Sequence, residues 1–188
     1  MLLRLEAAEL PMGERTLVFP QLFIGRSDHI GLVGDNGSGK TTLVKHLMAQ
    51  MPDGVRVLYI PQEPTDGQQE EARERLAKLA SAERGRVLSI VAQLNSEPER
   101  VLEGDAISPG EMRKLMLALG ILDSPELIIM DEPTNHLDLG STEALERVLA
   151  AFPGALLLVS HDAALLEATT DITWRIDESD TANIVSCG

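Results

Sequence analysis

The chain is 188 residues long, and its 16 Lys and Arg stand against 30 Asp and Glu, for a formal net charge of −14 at pH 7. About 100–200 residues make one domain, and a 44% hydrophobic content suits a packed core rather than a disordered chain. The acidic excess argues against a surface that grips nucleic acid by itself, because phosphate backbones are held by clustered Lys and Arg.

Leu2 to Leu10 and Arg15 to Ile24 read as two extended segments joined by a turn at Pro11 to Gly13, an antiparallel hairpin. His29 to Val33 is a short apolar run ending in a glycine-rich turn, and Thr41 to Gln50 is helical until Pro52 stops it. Val55 to Ile60 is a strand punctuated by Pro61 and Pro64. From Asp66 to Asp105 the composition turns polar and helix-favouring, with apolar residues at helical spacing around Leu76, Leu79 and Val87. Glu111 to Leu122 is a strong helix, so a helical insertion over roughly 66–124 is expected within a single domain, 1–188. Leu127 to Met130 and Ala155 to Val159 are near-continuous apolar strands of the kind buried in parallel sheets, and Thr142 to Ala151 and Ala163 to Thr169 are helical. Ile172 to Ile176 and Asn183 to Val185 form a closing strand pair. Strands alternating with helices predict an α/β fold with right-handed crossovers.

Gly34, Asp35, Asn36, Gly37, Ser38, Gly39, Lys40 and Thr41 match the phosphate-binding loop, and Thr42 extends it. The match lies after a strand and at the start of a helix, where glycine-freed N–H groups and the helix end can wrap phosphates. Lys40 supplies a point charge for the β- and γ-phosphates, and the Thr41 hydroxyl can ligate Mg2+. Leu127 to Met130 ends in Asp131 and Glu132, two carboxylates where doubly wound sheets place their ligands. Asp131 can assist the metal, and Glu132 can polarise a water for in-line attack.

With the phosphate loop, the string Asp131-Glu-Pro-Thr-Asn-His-Leu-Asp138 resembles the ATP-binding cassette (ABC) ATPases, and its Asn135-His136 pair is similar to the ABC-F branch. The resemblance runs from Gly34 through His161-Asp162. It implies a P-loop NTPase core with an antiparallel β entry and a short helical subdomain, and Mg2+-dependent ATP hydrolysis. It implies further that Gln62 senses Mg2+ and water, that Asp138 belongs to a loop communicating across a dimer, and that His161 contacts the γ-phosphate. Ile107-Ser108-Pro109-Gly110-Glu111 stands in place of the family's LSGGQ signature and departs from it at three positions. Physically it is also a helix start, with Ser108 as N-cap, Pro109 first in the helix and Glu111 closing a capping box. Such a start suits the γ-phosphate of an ATP on a second cassette, although Pro109 removes one N–H donor. The family also stacks an aromatic on adenine. None lies in the turn around Leu10 to Glu14, where Met12 offers a softer apolar surface.

His29, His46 and His136 lack a second ligand at metal-like spacing and read as structural or interface residues. Around Glu70 to Arg75 the charges read as a solvated face with an i,i+4 pair between Glu71 and Arg75. The longest apolar runs are far short of the ~20 residues that span a bilayer. The N-terminal stretch is broken by Arg4, Glu6 and Glu9, unlike a secretory signal, and Cys187 has no partner for an internal disulfide. A cytoplasmic location is therefore expected. The implied partner is a second cassette, as a homodimer or a separately encoded chain. Three roles stay open: a ribosome-directed ABC-F-like ATPase, the ATPase subunit of a transporter with a separate membrane permease, and a degenerate ATP-binding regulatory module.

Overall fold

The computed structural model describes residues 1–103, 107–179 and 182–188. The chain opens with β1 (Leu3–Leu5), β2 (Ala8–Met12), β3 (Arg15–Phe19) and β4 (Leu22–Ile24). The expected hairpin is split. β2 and β3 pair antiparallel across a turn where Gly13 takes φ 66°, whereas β1 and β4 pair with each other as a separate two-stranded sheet. Pro11 lies within β2 rather than in the turn. β2 is an edge strand, the position in a sheet that tolerates a residue without N–H.

Six further strands, β5 (His29–Gly34), β6 (Val57–Ile60), β7 (Leu127–Asp131), β8 (Ala155–Val159), β9 (Ile172–Glu178) and β10 (Ala182–Cys187), join β2 and β3 in one sheet. Its order is β2-β3-β10-β9-β5-β8-β7-β6. The run from β9 to β6 is parallel, while β10 is antiparallel to β9, so the sheet is mixed. Every residue of β7 and β8 is buried, as near-continuous apolar strands covered on both faces must be.

The helices are α1 (Lys40–Ala49), α2 (Asp66–Lys78), α3 (Ser81–Gln93), α4 (Pro98–Glu103), α5 (Pro109–Ile121), α6 (Leu139–Ala150) and α7 (Ala163–Thr169). Side chains of β7 and β8 alternate between two cores with the period of a strand. Leu127, Ile129, Leu157 and Val159 face Leu43 and Leu47 of α1. Ile128, Met130, Leu156 and Leu158 face Leu145 and Leu149 of α6 and Leu165 of α7. A third core joins Ala72 and Leu76 of α2, Val87 and Val91 of α3, and Leu115 and Leu119 of α5. Leu117 of α5 belongs to the second core instead. A helix apolar on nearly every side has to be enclosed, and α5 accordingly joins the helical layer α2–α4 to the sheet. Asp105, the expected end of the polar stretch, lies outside the described residues.

Two local expectations change. α6 begins at Leu139, ahead of the expected Thr142, because the Asp138 carboxylate accepts a hydrogen bond from the Ser141 N–H at 2.7 Å and starts the helix early. Arg75 does not pair with Glu71. It reaches Asp123, just beyond α5, at 2.7 Å, and the i,i+4 pair on α2 is Glu74 with Lys78 at 2.6 Å.

β8 sits inside the parallel run, and Leu157 is fully buried. Leu157→Ala is expected to lower unfolding free energy by about 2–5 kcal/mol, through lost transfer energy and the cavity left behind, as read from urea denaturation midpoints at unchanged m-value.

Candidate active site

The register of the parallel strands brings their carboxyl ends level. Leu32 pairs with Val159, Val159 with Asp131, and Met130 with Ile60. Immediately beyond these positions stand the phosphate loop after β5, His161 after β8, Glu132 after β7 and Gln62 after β6. Segments distant in sequence therefore meet in one cleft of about 500 Å³. Asn36, Gly37, Gly39, Lys40, Thr41, Thr42, Gln62, Asp131, Glu132 and His161 all open onto it, joined by Met12 and Asn135.

The loop takes its shape from backbone that side-chain-bearing residues resist. Gly37 has φ 82° and Gly39 φ 111°, and a Cβ at Gly39 would lie 2.6 Å from the Met12 sulfur. Met12 thus rests against the loop from the β2 side. α2, α5, α6 and α7 begin with side-chain caps from Thr65, Ser108, Asp138 and Asp162, whereas α1, like α3, has none, and at α1 the uncapped start faces the glycine-rich loop. Ser38 is fully buried behind the loop and its carbonyl accepts a hydrogen bond from the buried Asn183 side chain of β10 at 2.8 Å. Lys40, 8% exposed, donates to the carbonyls of Gly34 at 2.6 Å and Asp35 at 3.0 Å, which folds its ammonium into the loop's concave side.

Opposite the lysine, Thr41 Oγ1 donates to Asp131 Oδ2 at 3.5 Å. Burial raises the Asp131 carboxyl above its ordinary value, against the opposing pull of Lys40 and Thr41. Glu132 has φ 47°, and its N–H donates to Val159 O at 2.7 Å, carrying the β7–β8 ladder one step beyond the strand. Its carboxylate lies 3.3 Å from His161 Nε2, which is also 3.3 Å from Lys40 Nζ. In one tautomer His161 accepts from the ammonium, and in the other it donates to the carboxylate. The cleft combines a cation and backbone donors on one wall with a carboxylate base and an imidazole on the other. That donor set fits a polyphosphate flanked by an attacking water.

Ser108, Gly110, Glu111 and Asp138 open onto a separate cleft of about 570 Å³, which they share with His136 and Lys114. Ser108 and Glu111 form the anticipated capping box, with Pro109 in the first turn. Burial works against the Glu111 carboxylate, but hydrogen bonds from Ser108, with Arg100 and Lys114 nearby, hold its pKa below the ordinary value. The structure therefore separates these residues from Glu132 and Lys40 within one chain. Of the other histidines, His29 bonds to backbone carbonyls at both ring nitrogens and His46 packs against Phe19 in a tilted pair, 5.7 Å between ring centres.

Arg113 and Lys114, missed in the sequence, are buried on α5, where Lys114 lines the cleft of Ser108 and Arg113 is bonded to residues of the Lys40 cleft. Arg113 donates to the carbonyls of Glu132 and Asn135, and Lys114 donates to Asn95 O, Ser96 Oγ and Ser141 Oγ. Their sequence signal is a pair of adjacent cations inside the apolar run Met112 to Leu119, a pattern that an ordinary surface stripe does not produce.

Residues 53–135 match the family model described as ABC transporter. The chain is 35% identical to the probable ATP-binding protein YheS of Escherichia coli, over 94% of this chain and 30% of that protein. It is 36% identical to the ribosome protection protein VmlR of Bacillus subtilis, over 85% of this chain and 31% of that protein. It thus spans about a third of the length of these relatives. A solved ATP-binding subunit of an ABC transporter superposes with TM-score 0.78 at 25% identity, over 100% of this chain and 90% of that one.

A carboxyl raised by burial binds its proton more tightly folded than unfolded. Its favourable contribution is present below the ordinary value of 3.8 and is lost as pH rises through the raised value. Asp131→Asn is therefore expected to raise the Tm of the nucleotide-free protein at pH 7. The gain should shrink as pH is lowered toward about 4, measured by scanning calorimetry across that range.

Proposed function

From the membership of this chain in the ATP-binding cassette ATPases, with relatives of the ABC-F kind, we propose that it binds ATP with Mg2+ in the Lys40–Glu132 cleft and hydrolyses it as one half of a cassette pair. One observation carries the reading: Lys40, Thr41, Gln62, Asp131, Glu132 and His161, from four different strand ends, line a single cleft.

The N–H groups of the loop and α1 take up phosphate oxygens, with Lys40 on the β- and γ-phosphates. No cluster of three or more His, Cys, Asp or Glu able to hold a metal occurs among the described residues. Thr41 and Asp131, 3.5 Å apart, suit a cation that takes the rest of its coordination from phosphate and water, which is how Mg2+ binds nucleotides. A Mg2+ ion held by Thr41 and Asp131 would supply charge neutralisation to the phosphates. Glu132 accepts a proton from the attacking water, Gln62 orients that water and the metal, and His161 holds the γ-phosphate.

Ser108, Gly110 and Glu111 line a different cleft from the loop, and this supports a site completed by a second cassette, either another copy or a separately encoded chain. Pro109 supplies no N–H. The Ser108 oxygen accepts from Glu111 N–H at 3.2 Å, which leaves its own O–H to donate to a phosphate across the pair. Asp138, at the start of α6, stands beside this contact and would carry communication between the two sites.

The similarity to the ribosome protection protein VmlR supports a ribosome-directed role, and with it a cytoplasmic one. A net charge of −14 places most contacts to RNA outside this domain. A second reading, an ATPase subunit docked on a separate membrane permease, draws on the single-cassette transporter subunit of which the chain covers 90%. No helix among the described residues is long and apolar enough to cross a membrane itself. Co-sedimentation with ribosomes or co-purification with a membrane subunit separates the two.

Glu132→Gln is expected to lower kcat about 100-fold or more while keeping ATP affinity, and to accumulate an ATP- and Mg2+-dependent dimer by light scattering. Lys40→Ala should abolish both binding and dimer. Turnover in Glu132→Gln equal to wild type, or no ATP-dependent mass change at high protein concentration, would overturn the composite site.

A further inference from the structure

Glu132 sits in the left-handed region at φ 47°, and His136 follows at φ 64°, so two of the first five residues of this turn hold conformations that side chains disfavour. Within the turn itself there are only the bonds from Asn135 N–H to Glu132 O, at 3.2 Å, and from Leu137 N–H to Thr134 O, at 3.1 Å. Further support comes from α5. Arg113, 3% exposed, donates from Nη1 to Glu132 O at 2.8 Å and from Nη2 to Asn135 O, bridging the first and last residues of the tightest part of the turn.

This is an expensive way to build a helix contact. Both acceptors are neutral carbonyls, Nε has no partner, and burial pushes the guanidinium pKa down with no carboxylate opposing it. An apolar side chain of similar size would pack α5 without burying a charge. What only arginine provides is a planar fork that grips two carbonyls at once. Three residues earlier on the same helix, Gly110 approaches the same turn so closely that a Cβ there would lie 3.0 Å from His136 O. Gly110 and Arg113 stand on one helix face, and both meet the loop that leaves β7.

We propose that Arg113 is a positioning residue for hydrolysis, which fixes the backbone of 132–135 so that the Glu132 carboxylate is aimed and which ties that aim to the helix beginning at Ser108. The proposal rests on the hydrolytic role of Glu132 argued above. Its consequence is a direct link between the two sites of a cassette pair. A displacement of α5, whose N-terminus would engage the partner's nucleotide, reaches the base of its own site through two hydrogen bonds.

The test compares Arg113→Met and Arg113→Lys in the whole protein with its partner cassette, by steady-state kinetics, and without nucleotide, by amide hydrogen exchange. In Arg113→Met, exchange at 132–137 should rise about tenfold with 128–131 unchanged. In the same variant kcat should fall about tenfold or more at a KM within about threefold of wild type. Arg113→Lys, able to keep one of the two bonds, should recover part of kcat and carries the test if the Met variant does not fold. Unchanged exchange at 132–137, or a rise spread equally over α5 and β7 with kcat and KM both lost, would overturn the proposal. A wild-type protein that shows no turnover overturns the hydrolytic reading instead, and the exchange result still decides the role of Arg113.

Discussion

The level register of four parallel strands is the constraint on which the rest of this molecule depends. Because β5, β8, β7 and β6 are hydrogen-bonded side by side and in step, the residue after each strand arrives at the same height. A slip of one residue in β7 would turn Ile128 and Met130 out of one core and Ile129 out of the other, so the register is held by apolar burial on both faces. The polar residues of the cleft take no part in that choice. They are placed by a sheet whose energetics lie elsewhere, and this leaves them free to be buried, strained or unpaired.

The same separation resolves the electrostatics. A chain with 14 more acids than bases has no reason to attract a polyphosphate over long range. On the proposed reading the attraction is local, supplied by the start of α1, which carries no side-chain cap, by the loop bent at Gly37 and Gly39, and by one ammonium held between carbonyls. α5 follows an opposite plan. Its N-terminus is capped by its own Ser108 and Glu111, and its two buried cations bond to neutral oxygens of the chain. One helix start carries no side-chain cap, and the other is capped by its own side chains.

The elements easiest to read from sequence were those governed by a single force. β7 and β8 are apolar runs whose burial leaves no alternative, and the phosphate loop carries its glycines where backbone shape demands them. The opening hairpin was harder, because Leu2, Leu22 and Ile24 serve the α1-side core rather than the ladder they flank, and only tertiary packing reveals it. The start of α6 turned on one carboxylate, Asp138, whose capping bond outweighed the later helical spacing. Glu71 and Arg75 have the spacing of a helix pair, yet Asp123 competes from just beyond α5, and its offer is invisible along the chain. Arg113 and Lys114 escaped for a related reason. Basic residues are normally read as surface, and the oxygens these two meet are brought to them by tertiary packing that spacing along the chain does not show.

Asn183 gives the cleft a history as well as a shape. The bond that supports Ser38 from behind the phosphate loop spans 145 residues of chain and comes from β10. β10 in turn reaches the parallel strands only through β9, to which it is antiparallel. Contacts of such separation carry a loop-closure entropy that local contacts do not. The loop's own glycines and lysine are neighbours in sequence, but its backing is present only when β9 and β10 are docked. Competence to hold nucleotide is thereby an attribute of the finished sheet, and a chain folded short of β10 would carry the phosphate loop without the wall behind it.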